Sequence, residues 1–214
     1  MKVIAIDGPS GSGKGTIAKE VARRLGYTYI DTGAMYRCVA LKVIENNVDI
    51  KDTDKIVNIL KNIDITLTNE GKCYIDNIDV SDKIRSMEVT SLVSKISLIV
   101  PLREVMKEKQ REYVKKDNIV MEGRDITTEV FPNADYKFYL DASLDVRANR
   151  RYNQNKEKGI ESSIDEIRES LKERDYDDST RKVGALKRTK TQIYINSDNL
   201  TIEEVINKVM EMIK

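Results

Sequence analysis

The chain has 214 residues, with 37 Lys and Arg against 36 Asp and Glu, so its formal net charge is +1. That length fits one ordinary globular domain, and the balance of charge leaves no basic field for general nucleic-acid binding. The absence of histidine excludes Ser-His and Cys-His nucleophilic catalysis as well as histidine-ligated metals, and Cys38 and Cys73, without a C-x-x-C companion, offer neither a zinc site nor a disulfide framework.

Residues 3–6 are a short apolar run ended by Asp7-Gly8-Pro9, the pattern of a buried strand. The run meets an acidic residue too early for a signal peptide, and no apolar stretch approaches membrane-spanning length, so a soluble cytoplasmic protein is expected. A helix is predicted over 16–25, a strand over 27–30 and a second helix over 35–45. Residues 63–68 and 73–80 alternate in polarity around a turn at 69–72, which predicts a β-hairpin with Gly71 in the turn. Further buried strands are predicted at 119–121, 136–140 and 193–195, with a helix opened by Ser143 and a mobile loop over 153–162 carrying Lys156, Lys158 and Gly159. The last helix places Ile202, Val205, Ile206, Val209 and Ile213 on one face, behind a capping box of Thr201 and Glu204. Short buried strands alternating with helices predict an α/β fold with a parallel sheet covered on both faces.

Gly8-Pro9-Ser10-Gly11-Ser12-Gly13-Lys14-Gly15-Thr16 follows the first strand and opens a helix, with the G-x-x-x-x-G-K spacing of a P-loop. Such a loop turns successive backbone N–H groups toward phosphate oxygens, and Lys14 reaches the β- and γ-phosphates of ATP as a point charge. Gly15 stands where a Mg²⁺-binding hydroxyl is usual, and the hydroxyl comes one residue later, so Mg²⁺ is expected to be held mainly by phosphates and water, with no protein metal site. A GTPase reading fails because N-K-x-D and D-x-x-G are both absent.

Arginines recur at helical spacing instead. Arg147, Arg150 and Arg151 stand at i, i+3 and i+4, and Arg174, Asp178 and Arg181 form a second cluster if helical geometry persists. Phosphoryl transfer needs such a supply, because catalysis is mostly alignment plus positive charge on the equatorial oxygens. Lys14, Arg147, Arg150 and Arg151 are therefore the candidate catalytic cations.

At this point the chain resembles the bacterial-type cytidylate kinases. The resemblance rests on residues 6–16, then Asp31-Thr32-Gly33-Ala34-Met35-Tyr36-Arg37, Glu122-Gly123-Arg124-Asp125-Ile126 with Val130-Phe131-Pro132, Leu140-Asp141-Ala142-Ser143, and Arg174-Asp175 with Asp178-Ser179 and Arg181. It implies a three-layer P-loop NTPase fold in a single domain over 1–214, with a small antiparallel insert in a monophosphate-binding region at about 35–100 and a helical lid at about 147–180. It also implies ATP as donor and CMP or dCMP as acceptor, in a monomer. By resemblance Arg37, Arg124 and Thr32 hold the acceptor phosphate, Asp125 reads the base with Ser94 and Arg103, and Arg174, Asp178 and Arg181 close over the sugar and phosphates. A carboxylate at 125 accepts from the cytosine amino group and repels the uracil carbonyl.

Three positions depart from the family pattern. Thr127 replaces the usual Gly, Glu122 often finds Asp, and Gly184-Ala185-Leu186 stands where Ala-Pro-Leu is usual. The rival readings are a P-loop kinase for another small acceptor, and a protein whose loop only senses ATP.

Overall fold

An unbroken apolar run suits a strand covered on both faces, and the first one becomes the middle strand of the main sheet. The computed structural model describes residues 1–157 and 159–213; Lys158, expected in the mobile loop, and Lys214 lie outside the described residues. In chain order the elements are β1 (Val3–Asp7), α1 (Lys14–Leu25), β2 (Thr28–Asp31), α2 (Thr32–Glu45), α3 (Thr53–Asn62), β3 (Ile65–Leu67), β4 (Cys73–Ile75) and β5 (Ile78–Asp79). Next come α4 (Met87–Ile96), α5 (Val100–Glu112), β6 (Ile119–Gly123), β7 (Tyr136–Asp141), α6 (Leu144–Glu157), α7 (Ile164–Thr180), β8 (Ile193–Asn196) and α8 (Ile202–Met212).

The main sheet has the order β2-β6-β1-β7-β8, and every neighbouring pair is parallel. From β1 the chain crosses to the edge strand β2; from β6 it crosses to the other side through β7 and β8. The direction of crossing thus reverses beside β1, and the crevice at the carboxyl ends of the strands is where such sheets bind ligands. The register places Asp7 beside Gly123 and Asp31 beside Glu122 at that edge.

The alternation along β1 divides the core. Ile4 and Ile6 pack with Ile17, Val21, Phe138, Val205, Ile206 and Val209 beneath α1 and α8. Val3 and Ala5 face Met35, Val39, Leu102, Met106 and Met121 beneath α2 and α5. Each fully buried Ile contributes about 2 kcal/mol through area removed from water. The capping box of α8 forms as expected: the Thr201 hydroxyl accepts from Glu204 N at 3.2 Å, and the Glu204 carboxylate accepts from Thr201 N at 2.7 Å.

Several boundaries differ from the sequence reading. Asp31 Oδ1 accepts from Ala34 N at 2.9 Å, so α2 starts at Thr32 rather than near Met35. The alternation at 73–80 is not one strand: Asp76 and Asn77 take φ of 50° and 66°, making a second tight turn and a three-stranded antiparallel sheet β3-β4-β5. Asp and Asn tolerate this left-handed conformation, which suits a two-residue hairpin turn. Much of the expected loop at 153–162 is helical, since α6 runs to Glu157. Cys38 of α2 and Cys73 of β4, which the sequence gives no reason to join, are both buried free thiols with their Sγ atoms 3.1 Å apart. Among the described residues no helix is long and apolar enough to cross a membrane.

Candidate active site

The turn from β1 into α1 delivers a helix N-terminus to the carboxyl edge of the sheet. Gly13 caps α1 at φ 92°, a conformation that favours glycine, and as a cap without a side chain it leaves the first N–H groups of the helix without a side-chain cap bond among the described residues. These donors and the helix dipole make an anion cradle. Ser12 Oγ, inside the same loop, is buried without a hydrogen-bond partner among the described residues.

Lys14, the first residue of α1, folds back over the loop. Its Nζ donates to Pro9 O at 3.2 Å and stands 3.8 Å from Glu122 Oε2 at the end of β6. Burial, with Arg124 adding to it and Glu122 opposing, pushes the Lys14 ammonium down to about 8. Burial likewise pushes the Glu122 carboxyl up to about 7, against the pull of Lys14. One buried carboxylate therefore only partly offsets the ammonium.

Around this pair the arginines gather. Arg174 on α7 is pushed down to about 10 by burial and then by Arg124, Arg37 and Arg151. Arg37 on α2 is pushed down by burial and by Arg151, Arg85 and Arg124; its Nη1 donates to Ile84 O at 3.2 Å and Thr90 Oγ1 at 2.8 Å. Arg124, just after β6, donates from Nε to Asp178 Oδ2 at 2.6 Å, and Arg181 Nη1 donates to Asp178 Oδ1 at 3.2 Å. Burial opposes ionisation of Asp178, yet Arg124, Arg181 and Arg174 together hold its carboxyl below the ordinary value. Such a surplus of buried cations is stable only beside an anion.

Beyond the arginines, Arg103 of α5 bonds Asp125 through Nη2, donates to Ser97 O at 3.0 Å and lies 5.7 Å from the centre of the Tyr36 ring. Gly184 closes over this pair. Its φ is +65°, and a Cβ there would overlap the Arg103 guanidinium and the Asp125 carboxylate.

The sequence matches the family model described as Cytidylate kinase over residues 4–214. A cytidylate kinase of Fusobacterium nucleatum is 46% identical over 212 residues, covering 99% of this chain and 97% of the relative. The chain belongs to the cytidylate kinase family.

Solved structures extend the likeness of fold alone. An uncharacterized protein from Eubacterium ventriosum superposes with a TM-score of 0.59 at 11% identity, over 100% of this chain and 98% of that one. A shikimate kinase from Acinetobacter baumannii, in complex with shikimate, gives 0.50 at 14% identity, over 100% and 93%.

In this cytidylate kinase chain the sequence-predicted residues fall into distinct places. Residues 8–16 form the cradle, with Thr16 exposed on the first turn of α1. Lys14, Arg37, Arg124, Arg151 and Arg174 share one field. Among the described residues neither Arg151 nor Arg174 has a hydrogen-bond or ion-pair partner. Arg103, Asp125, Arg181 and Asp178 are linked around the strap that holds Gly184, where Arg181 Nε donates to Gly184 O at 2.5 Å. Ser94 is half-buried on α4, one turn before Ser97. The Thr32 hydroxyl donates to Glu122 O at 2.7 Å.

Helical spacing groups Arg147, Arg150 and Arg151 into one phosphate-facing set, and the structure divides it. Arg147 is buried; it donates to Ala142 O at 2.9 Å, Ser10 O at 3.0 Å and Asp175 Oδ2 at 2.6 Å. Arg150 reaches Ser12 O at 3.3 Å and Ser197 O at 2.7 Å. Both guanidiniums are thus engaged with carbonyls of the loop and its supports, and Arg151 alone of the three adds to the field around Arg174. Residues that the sequence reading does not assign also stand here. Asp175 anchors Arg147, and Arg85, at the end of a single 3₁₀ turn (Lys83–Arg85), adds charge beside Arg37.

The residues fit a phosphate-bound Mg²⁺. Among the described residues no group of three or more Asp, Glu, Cys or His could hold a metal unaided. Glu122 and Asp31, neighbours across β6 and β2, offer carboxylates to the water shell that Mg²⁺ usually keeps.

Proposed function

We propose that this chain transfers the γ-phosphoryl group of ATP to CMP or dCMP, giving ADP and CDP or dCDP. The observation that carries the reading is the pair Arg151 and Arg174, whose side chains make no hydrogen bond or salt bridge among the described residues, set in one field with Lys14, Arg37 and Arg124 beside the anion cradle. A field of that strength suits a donor triphosphate and an acceptor monophosphate brought end to end, the donor from the loop side and the acceptor from the α2 side.

The loop N–H groups of residues 8–16 and the Lys14 ammonium grip the donor phosphates. Arg37 and Arg124 take the acceptor phosphate, Thr32 beside them, while Arg151 and Arg174 bear on the oxygens of the group in transit. The migrating group is metaphosphate-like, so alignment and positive charge are the main requirements. The acceptor phosphate is already an anionic nucleophile, and no side chain needs to remove a proton from it. Glu122 and Asp31 would face the water shell of a Mg²⁺ that arrives with the donor, and the ion would supply positive charge to the donor phosphates.

Asp125 accepts from the cytosine amino group, and Arg103 and Ser94 face the remaining base edge. Asp178 and Arg181 stand at the sugar. Residues 35–100 serve as the acceptor-binding region and 147–180 as the lid within one domain, in which Arg147 and Arg150 brace the loop from behind. The chain acts as a cytoplasmic monomer on free nucleotides, and binds neither nucleic acid nor membrane.

A coupled ADP-release assay across CMP, dCMP, UMP, AMP and shikimate tests this reading. CMP and dCMP should give the highest turnover. ATP binding without acceptor-dependent ADP, or a preference for another acceptor, would overturn it.

A further inference from the structure

The donor loop and the acceptor turn meet at one buried carboxylate that the reaction as described does not use. Asp7, the last residue of β1, is fully buried immediately before the loop. Its Oδ1 accepts from Ile126 N at 2.9 Å, and its Oδ2 accepts from Thr127 N at 2.8 Å and from the Thr127 hydroxyl at 2.5 Å. Arg124 and Asp125, which face the acceptor, come directly before these two residues in the chain.

The local backbone explains why an acceptor is needed there. Residues Ile126–Val130 form a single π-helical turn, in which Val130 N donates to Asp125 O at 3.2 Å and Phe131 N to Ile126 O at 2.7 Å. Such wide turns are uncommon and cluster at functional sites. The first N–H groups of the turn lack helical partners, and an orphan buried N–H costs about 1–3 kcal/mol unless it is paired. Asp7 pairs two of them. Burial pushes its carboxyl up to about 6 against the pull of these donors, so at neutral pH it is the ionised acceptor they require.

Thr127 extends the contact. Besides donating to Asp7, its hydroxyl accepts from Gln192 Nε2 at 2.5 Å, and Gln192 Oε1 accepts from Thr189 N at 2.6 Å. The segment from Arg181 to Gln192 is the strap whose Gly184 closes over Arg103 and Asp125. A glycine at 127, usual in the family pattern, would keep the N–H bond to Asp7 and lose both hydroxyl bonds.

We infer that Asp7, Thr127 and Gln192 are positioning residues of the acceptor site, fixing Arg124 and Asp125 against the donor loop from one side and the strap from the other. This deepens the CMP kinase reading and rests on it. None of the three side chains touches a reacting atom in this scheme. Their effect is to hold the acceptor groups where phosphate and base must meet them.

Steady-state kinetics with CMP and UMP, beside titration of a fluorescent ATP analogue, test the inference in the full chain. Thr127→Val keeps shape and backbone N–H but removes the hydroxyl; it should raise the CMP KM about fivefold, and Thr127→Ser should restore it to within about twofold. Asp7→Asn turns an amide donor toward donors and should raise the CMP KM about thirtyfold or more while lowering the CMP-to-UMP ratio. ATP-analogue affinity should change no more than about twofold in all three, a split that general loosening of the fold would not produce. CMP KM and base preference unchanged in Thr127→Val and Asp7→Asn, or donor and acceptor constants weakened in parallel, would overturn the positioning role alone. A native chain without CMP-dependent ADP release would overturn the CMP kinase reading and this role with it. Should Asp7→Asn fail to fold, the contrast of Thr127→Val with Thr127→Ser decides.

Discussion

Asp178 places one carboxylate oxygen 2.6 Å from Arg124 Nε and the other 3.2 Å from Arg181 Nη1, so α7 supplies the counter-charge for two guanidiniums of the acceptor side. Removing one partner of a buried charge network leaves the others uncompensated. Asp178→Asn should therefore lower stability by about 3 kcal/mol in urea unfolding, and added CMP should recover part of the loss by neutralising the same arginines. The acid limb gives a second check. The Asp178 carboxyl is held below its ordinary value of 3.8, so its contribution is whole above that pH and is lost as pH falls through the folded value. The native chain should lose this increment in acid and Asp178→Asn should not; superimposable acid unfolding curves would show that the arginines do not need this partner.

Lys14 carries a pH signature of its own. Its folded value is lowered from 10.5 to about 8 by burial and then by Arg124, and an arriving triphosphate supplies the opposite charge it lacks. Donor binding should raise that value and take up a fraction of a proton near pH 8, read by calorimetry in buffers of different ionisation enthalpy. In the free protein the unfolded chain holds the proton more tightly between pH 8 and 10.5, so this group's stability contribution rises across that window. Lys14→Met should abolish turnover with the fold intact and remove the proton uptake. Uptake that persists in the variant would assign it to another group.

The parts of this architecture that depend on local chemistry are legible in the sequence. The apolar run at residues 3–6, the glycine-rich loop and the Thr201–Glu204 capping box each state their structure within a few residues. The divided hairpin is marked by Asp76-Asn77, two polar residues in succession between Ile75 and Ile78 that interrupt the alternation; read as one strand, the segment hides a turn that their tolerance of positive φ allows. The contact of Cys38 with Cys73 belongs to tertiary packing, and nothing at either position announces it. Gly8-to-Thr16 and the family motifs locate the site, but the Asp7–Thr127–Gln192 contacts join three segments that are distant in the chain. A departure such as Thr127 gains its meaning only when its neighbours in space are known.

The division among the arginines of α6 follows the same logic and gives a sharp test. Spacing tells which residues share a helix face, not which of two loops that face meets. Arg147 is buried and bonded to Ala142, Ser10 and Asp175, whereas Arg151 is half-buried and has no hydrogen-bond partner among the described residues. Arg147→Ala should cost about 2–3 kcal/mol of stability and raise the ATP KM, because it strands buried acceptors and loosens the loop. Arg151→Ala should leave stability within about 0.5 kcal/mol and lower kcat about tenfold to a hundredfold. Equal losses of stability in the two variants would mean that the division has no energetic content.

In the proposed reaction, base choice rests on the Arg103–Asp125 pair and the residue lying against it. Asp125→Ala removes the acceptor for the cytosine amino group and the repulsion of the uracil carbonyl at once, so the CMP-to-UMP ratio of kcat/KM should fall about tenfold to a hundredfold. Gly184→Ala should move the ratio in the same direction without touching either charged residue. Its Cβ would fall on the guanidinium and the carboxylate together, at a φ of +65° that an L side chain resists. One of the two groups must then swing aside, and the base edge they present changes shape. The strain itself should lower stability by about 1–2 kcal/mol, measurable by thermal unfolding without nucleotide. If Gly184→Ala loses that stability and still discriminates CMP from UMP as the native chain does, the strap supports the fold and leaves base reading to the pair alone.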